Sequence, residues 1–131
     1  GLCSEKGYHY NATDEPCQNC TEIVKIKSFC DIPKNNEELL MKYVFTQPVS
    51  IAIEADSMDF QMYKRGVFNY SDCGDELDHG VVFVGYGSKD GRDYWIMRNS
   101  WGETWGEDGY MLMLREINMC GLTLDPSIPL M

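Results

Sequence analysis

Two apolar runs in the second half of the chain limit the fold more than any other part of the sequence. The first, Val81-Val82-Phe83-Val84-Gly85-Tyr86-Gly87, is rich in β-branched and aromatic residues, which is typical of a strand buried on both faces. The second, Tyr94-Trp95-Ile96-Met97-Arg98, follows Lys89-Asp90-Gly91, a segment typical of a hairpin turn. The two runs are therefore predicted to pair as a β-hairpin.

Three further segments are predicted to be strands. Val49-Ser50-Ile51-Ala52-Ile53-Glu54 and Tyr110-Met111-Leu112-Met113-Leu114 are apolar and partly alternating, and Ile23-Val24-Lys25-Ile26-Lys27 is a short strand with imperfect alternation. Together with one helix, described next, these strands predict an α+β fold with an antiparallel or barrel-like sheet.

One helix is predicted at about residues 36–45. Asn is a preferred helix cap, and Asn36 is followed by Glu37 and Glu38, whose charges favour the positive end of the helix dipole. Pro48 ends the helix, because proline cannot continue the hydrogen-bonding pattern.

The domain organisation follows from length and composition. The chain has 131 residues, about the length of one domain, and contains no segment that reads as a linker. We predict one unit, 1–131, with an irregular cysteine-rich stretch at about 1–33 and a β-rich part at about 34–131. Six cysteines in this length are typical of a protein from an oxidising compartment.

The charge and the apolar pattern argue against several functions. The 11 basic and 21 acidic residues give a net charge of −10, so nucleic acid is not expected as a partner. No apolar run approaches the roughly 20 residues that a membrane-spanning helix needs. Cys17-Gln18-Asn19-Cys20 has C-x-x-C spacing but no second ligand pair, so neither a metal nor any other cofactor is expected.

The predicted hairpin brings together two side chains with catalytic chemistry. His79 precedes its first strand and Asn99 follows its second, so both should lie at the same end of the hairpin. An imidazole beside a carboxamide can be a catalytic pair. The alternative is that His79 is a strand-end histidine and Asn99 a turn residue.

Five short motifs favour the catalytic interpretation. Around the asparagine and histidine, Asn99-Ser100-Trp101-Gly102, Trp105-Gly106 and Asp78-His79-Gly80-Val81 resemble the corresponding segments of papain-family cysteine proteases. Gln47-Pro48-Val49-Ser50 and Cys120-Gly121-Leu122 resemble two more segments of that family, in the same order. The resemblance implies a papain-like fold, with a β-barrel-like right-hand domain and a cysteine-rich stretch belonging partly to the left-hand domain.

The resemblance implies peptide-bond hydrolysis by a thiolate–imidazolium pair. His79 would exchange protons and Asn99 would orient its ring. Trp101, Trp105 and Ser100 would support the site. The alternative for the two tryptophans is that they are ordinary aromatic residues of the core. The family's cysteine lies roughly 130–150 residues before the histidine, and no cysteine of this chain has its motif. We therefore expect this chain alone to be inactive and to work with an N-terminal segment that carries the cysteine. The alternative is a non-catalytic papain-fold binding or structural subunit.

The same resemblance implies a pocket for the substrate's P2 side chain. Ala52 and Gly80 would line its walls and leave room for a bulky apolar group. Asp125 would lie at its floor and also accept Arg or Lys through a charge-assisted contact. The alternative for Asp125 is a solvated carboxylate.

The remaining expectations concern cysteines, sugars and partners. Cys73 and Cys120 match a family disulfide, and Cys17 resembles a cysteine whose partner lies in the N-terminal segment. Asn11, Asn19 and Asn69 begin N-glycosylation triplets, which weakly support secretion. Peptide or protein substrates, cystatin-like inhibitors and a secreted, lysosomal or vacuolar location complete the expectations. Cys3, Cys20 and Cys30 are left to pair among themselves or with another chain.

Overall fold

The computed structural model describes residues 1–70 and 72–131. The chain divides into two compact units, which are described separately. The small unit consists of Gly1–Cys30 with Pro129–Met131, and the large unit consists of Asp31–Ile128. Ser71, the third residue of the Asn69 glycosylation triplet, lies outside the described residues.

The small unit is mostly irregular. Its strands β1 (Leu2–Cys3) and β2 (Glu22–Val24) pair antiparallel, with Leu2 opposite Val24. The strand predicted for Ile23–Lys27 therefore begins one residue earlier and ends at Val24. A disulfide between Cys3 and Cys20 crosses the unit, so these two cysteines pair within the chain.

The large unit holds the predicted helix at nearly its predicted position. Helix α1 spans Glu37–Thr46, and the Asn36 side chain caps it by accepting a hydrogen bond from the Leu39 N–H. Leu40 and Val44 form its buried face. The backbone becomes extended at Gln47, before the proline, as predicted.

A mixed sheet forms most of the large unit. Within the large unit, neighbouring strands follow the order β4 (Val49–Ile53), β6 (His79–Lys89), β7 (Arg92–Arg98), β8 (Tyr110–Leu114) and β5 (Val67–Phe68), and the two longest strands form the predicted hairpin. The hairpin turns at Asp90 and Gly91, which both have positive φ, as a two-residue turn requires. Strands β3 (Ser28–Asp31) and β9 (Ser127–Leu130) each have residues in both units.

The core lies on one face of this sheet. Alternate residues of β4 are buried, and Phe83 of β6 stacks on Trp95 of β7 with ring centroids 5.1 Å apart. The α1 helix packs against β6 and supplies Leu40 to this core. Its fully buried members are Val49, Ile51, Ile53, Met97, Met111, Met113 and Leu122.

The α+β class is confirmed, but strands β1, β3, β5 and β9 were not predicted from the sequence, and other details also differ. A second helix, α2 (Met58–Gln61), is too short to produce a periodic pattern, and Met119–Gly121 form a 3-10 turn. Strand β5 pairs parallel to β8, because the chain returns to that edge after α2. The described pairings give β5 only one neighbouring strand, β8, so the sheet does not close into a barrel.

Within residues 1–70 and 72–131, no helix is long and apolar enough to cross a membrane.

Candidate active site

His79 and Asn99 meet at one end of the β6–β7 hairpin. His79 is the first residue of β6, and Asn99 directly follows β7. The His79 Nε2 atom lies 2.9 Å from the Asn99 Oδ1 atom. Because a carboxamide oxygen only accepts hydrogen bonds, Nε2 must carry the proton. The ring's other nitrogen, Nδ1, forms no hydrogen bond to any described residue.

The Asn99 side chain is held from two directions. Its Oδ1 atom also accepts a hydrogen bond of 2.7 Å from the Ser100 N–H, and the Asn99 N–H donates to the Gly109 carbonyl at 3.0 Å. Asn99 is only 8% exposed, and its Nδ2 has no partner among the described residues. Two bonds to one oxygen fix the carboxamide and, through it, the plane of the imidazole.

An aromatic cluster covers the histidine–asparagine bond. The Trp101 ring lies 4.9 Å from the His79 ring and is 40% exposed, so it separates the pair from solvent. Trp105 packs edge-on against Trp101 at 5.4 Å and is buried. The structure thus brings together these four residues of the predicted site. Low exposure strengthens the hydrogen bond beneath the indole.

Phe60 joins this cluster and was not predicted from the sequence. It is fully buried and contacts His79, Trp101 and Trp105, with ring centroids 5.5 to 6.4 Å apart. It belongs to α2, whose N-cap is Ser57. The only sequence feature that indicates helix α2 is the capping serine before Met58-Asp59-Phe60. Four residues are too few to add a periodic apolar pattern to that feature.

Tyr63 and Glu107, which were also not predicted from the sequence, form a second group of residues that supports Trp105. Tyr63 packs against Trp105 with ring centroids 5.6 Å apart. Its hydroxyl donates a hydrogen bond of 2.7 Å to the Gly66 carbonyl and accepts one of 3.2 Å from the Leu112 N–H. Burial, together with the nearby Glu107 charge, raises the pKa of Tyr63 to about 12. Glu107 also accepts from the Gly66 N–H at 2.7 Å. This network ties the segment after α2 to the loop that carries Asn99.

The backbone before His79 is fixed by Asp78. Its carboxylate accepts a hydrogen bond from the Ala55 N–H at 2.8 Å, and its own N–H donates to the Ile53 carbonyl at 3.0 Å. Both hydrogen bonds hold the start of β6 against the end of β4. The position of the imidazole is therefore set from two strands.

Two of the three predicted P2-pocket residues, Ala52 and Gly80, lie on neighbouring strands. Ala52 is directly opposite Gly80 in the β4–β6 ladder, and a Cβ atom added at Gly80 would meet nothing within 4 Å. Ser50 of β4 pairs with Ser127 of β9. Asp125 is exposed and lies two residues before β9, outside the described strand pairings.

The other predicted positions are also located. Cys73 and Cys120 form a disulfide in the large unit, and Cys17 is an exposed free thiol in the small unit. Cys30 is half-buried. The asparagines at 11, 19 and 69 are all exposed. In the described part of the chain, no group of three or more His, Cys, Asp or Glu side chains is arranged to hold a metal ion.

The arrangement is an acid–base group held in place by a neutral amide, the class of site used to activate a nucleophile. A model of the papain family of cysteine proteases matches residues 1–130. The chain therefore belongs to the papain family, and the predicted papain-like fold is confirmed.

The relatives and solved structures agree with this assignment. The senescence-specific cysteine protease SAG39 of Oryza sativa subsp. indica is 47% identical over 98% of this chain and 40% of that protein. Cysteine proteinase RD21A of Arabidopsis thaliana is 47% identical over 99% of this chain and 29% of that protein. The bromelain protease of Ananas comosus, solved with the E64 inhibitor, superimposes with a TM-score of 0.90 at 38% identity, covering 100% of this chain and 63% of that chain.

The chain spans well under half the length of these two curated relatives.

Proposed function

We propose that this chain is the His–Asn portion of a papain-type cysteine endopeptidase. The single observation that carries the proposal is the 2.9 Å contact between His79 Nε2 and Asn99 Oδ1 beneath Trp101. This contact places the imidazole proton on Nε2, so Nδ1 is free to accept a proton from a thiol. It also fixes the orientation of the ring, which a catalytic base needs.

In the proposed mechanism, His79 Nδ1 takes the proton of a cysteine thiol supplied by another segment of the protein. The imidazolium stabilises the thiolate, since a nearby positive charge lowers a thiol pKa by several units. The thiolate attacks the peptide carbonyl, and Nδ1 returns the proton to the leaving amine. Water, deprotonated by the same nitrogen, then hydrolyses the acyl-thioester. Asn99 holds the ring through both proton transfers.

The cysteine-bearing segment is the first proposed partner. None of the six cysteines of this chain lies in a Cys-Gly-Ser-Cys-Trp-like motif, and four of them form the two disulfides described above. We therefore propose that this chain alone does not hydrolyse peptides. Cys17 is exposed and carries a free thiol, so it is available for a disulfide to that segment.

Substrate choice is proposed to depend on the Ala52–Gly80 pair and Asp125. The open space at Gly80 accepts a bulky apolar P2 side chain. The exposed Asp125, two residues before β9, adds a carboxylate for Arg or Lys. We also propose peptide or protein substrates, cystatin-like inhibitors and a secreted, lysosomal or vacuolar location.

The experiment is covalent labelling of the complete folded protein with a thiol-reactive peptidyl epoxide. We expect one adduct, located on a cysteine outside this 131-residue sequence. The chain contains only two histidines, which supplies a matched control. His79→Ala should abolish labelling, while His9→Ala, at an exposed position paired with Glu5, should leave it unchanged.

The same experiment tests the alternative, a non-catalytic papain-fold binding or structural subunit. Absence of an adduct on folded protein that still contains both disulfides would favour that alternative. Asn99 is buried and its Oδ1 atom accepts two hydrogen bonds, which argues for the protease, because a non-catalytic protein does not need an oriented imidazole.

A further inference from the structure

We propose that Asn11 is the site of N-linked carbohydrate attachment in the small unit, and that the Cys3–Cys20 disulfide suppresses attachment at Asn19. The inference depends on the secretory location within the proposed function, but it is independent of the proposed catalysis. The two triplets, Asn11-Ala12-Thr13 and Asn19-Cys20-Thr21, satisfy the same sequence rule. The structure distinguishes them.

The Asn11 triplet forms an exposed turn of its own. The Asn11 Oδ1 atom accepts a hydrogen bond from the Thr13 N–H at 3.1 Å, which is an Asx turn. The Thr13 hydroxyl lies 3.4 Å from the Asn11 carbonyl oxygen, and Ala12 between them has a φ of +57°. The hydroxyl is therefore folded back toward the asparagine backbone, in a segment with no strand or helix around it.

The attacking atom remains available in this turn. Asn11 Nδ2 carries two hydrogens, and its bond of 2.9 Å to Glu15 Oε1 uses one of them. In the transfer, a bond forms between Nδ2 and C1 of the first sugar, and the bond from C1 to the pyrophosphate of a lipid-linked oligosaccharide breaks. The second Nδ2 proton leaves with the pyrophosphate. The bond to Glu15 persists in the product.

The Asn19 triplet is held differently. Its middle residue, Cys20, is half-buried and joined to Cys3, and Thr21 is followed directly by strand β2. Strand β2 pairs with β1, so the disulfide and the ladder both hold the backbone around the triplet. No described hydrogen bond joins Asn19 to Thr21. With the Cys3–Cys20 disulfide present, the triplet does not form the turn that the Asn11 triplet adopts.

The test is to express the complete protein behind a secretory signal in plant cells and to measure site occupancy by mass spectrometry. Enzymatic removal of glycans in ¹⁸O-water marks each formerly occupied asparagine. We expect most molecules to be marked at position 11 and few at position 19. Asn11→Gln should remove one glycan mass, whereas the matched variant Asn19→Gln should leave the mass distribution nearly unchanged.

The disulfide is tested by the double variant Cys3→Ser, Cys20→Ser, which keeps both triplets and leaves no odd thiol from this pair. Occupancy at Asn19 should rise at least threefold, while occupancy at Asn11 stays constant. Molecules that contain the Cys3–Cys20 disulfide but lack a mark at Asn11 would overturn the first half of the proposal. Equal Asn19 occupancy with and without the disulfide would overturn the second. Epoxide labelling of the same preparation reports separately on the proposed catalysis.

Discussion

A single oxygen atom, Asn99 Oδ1, accepts the hydrogen bonds of both His79 Nε2 and the Ser100 N–H. Changing Asn99→Ala removes this acceptor, so the imidazole keeps its place but loses its fixed orientation. A misplacement of about 1 Å at a reacting group costs roughly 100-fold in rate. In the complete enzyme, kcat should therefore fall roughly 100-fold with little change in KM.

Steady-state kinetics with a peptide substrate measures this effect. The melting temperature and the near-ultraviolet circular dichroism of the variant separate it from unfolding. A well-folded Asn99→Ala enzyme with normal kcat would show that the ring does not need the amide.

Asp125 is the residue on which substrate preference should depend. Asp125→Ala should lower kcat/KM for substrates with Arg at P2 by about tenfold, the equivalent of about 1.4 kcal/mol, because a charge-assisted contact is lost. Substrates with Leu or Phe at P2 should be nearly unaffected. A pair of peptides differing only at P2 measures the ratio. Asp14→Ala, at an exposed position in the small unit, is the control.

Equal losses for the two substrates would remove Asp125 from the P2 pocket and leave it as a solvated carboxylate.

Tyr63 makes stability depend on pH at the alkaline end. Its pKa is raised to about 12 in the folded state, against an ordinary value near 10. Between these pH values Tyr63 loses its proton in the unfolded chain but keeps it in the folded one. The contribution of Tyr63 to the free energy of unfolding is therefore fully present below about pH 10 and falls as the pH rises toward about 12. Tyr63→Phe should flatten this decline and lower stability at neutral pH by about 1–3 kcal/mol, because the Leu112 N–H loses its acceptor.

Urea unfolding of the thiol-blocked protein between pH 8 and 11.5 measures both effects. Tyr10→Phe, at a residue that is 78% exposed, is the matched control and should follow the parent curve. A Tyr63→Phe variant with the parent's alkaline decline would assign that decline to other groups.

At the scale of elements, one carboxylate connects helix α1 to the sheet. Glu37 accepts hydrogen bonds from Trp95 Nε1, the Glu116 N–H and the Asn118 N–H, at 3.0, 2.8 and 2.8 Å. Its neighbour Glu38 forms an ion pair of 2.9 Å with Lys42 at the surface, and this pair lowers the Glu38 pKa.

Glu37→Gln should therefore lower the free energy of unfolding by about 1.5–3 kcal/mol, since an amide nitrogen replaces one charged acceptor. Glu38→Gln, the same change one residue away, should leave the unfolding midpoint where it is. Thermal and urea unfolding of the two variants measure the difference. Equal midpoints would contradict a role for Glu37 in joining helix and sheet.

The elements differ in how well the sequence predicts them. The β6–β7 hairpin and α1 carry strong local signals: dense apolar runs around an Asp-Gly turn, and an asparagine cap before two acids. Helix α2 carries almost none, because four residues complete about one turn. The parallel pairing of β5 to β8 joins residues far apart in sequence, so no local pattern contains it.

At the scale of the whole molecule, two disulfides close loops of different length, one in each unit. Cys73 and Cys120 are 47 residues apart, and Cys3 and Cys20 are 17 apart. In the chain-entropy model, closing the longer loop stabilises by about 4 kcal/mol and closing the shorter one by about 3 kcal/mol. The longer loop includes the β6–β7 hairpin and Asn99.

Changing Cys73 and Cys120 together to Ser should therefore lower the unfolding free energy of the large unit by about 4 kcal/mol. Changing Cys3 and Cys20 should leave the large unit's transition unaltered. Trp95 lies in the large-unit core, so tryptophan fluorescence during urea unfolding follows that unit. Identical shifts for the two double variants would show that the chain unfolds as one body.

The sequence by itself determined strands β2, β4, β6, β7 and β8, the main helix, the family and the identity of the histidine–asparagine pair. These depend on local chemistry, namely apolar density, capping residues and short motifs around His79 and Asn99. Only the tertiary structure decided what surrounds the pair: Phe60 beneath it, Tyr63 and Glu107 bracing Trp105, and Asp78 fixing the start of β6. Those contacts join segments 20 to 50 residues apart or depend on which face of a short turn is buried. Their energies exist only once the chain has brought the segments together, so no pattern of neighbouring residues records them.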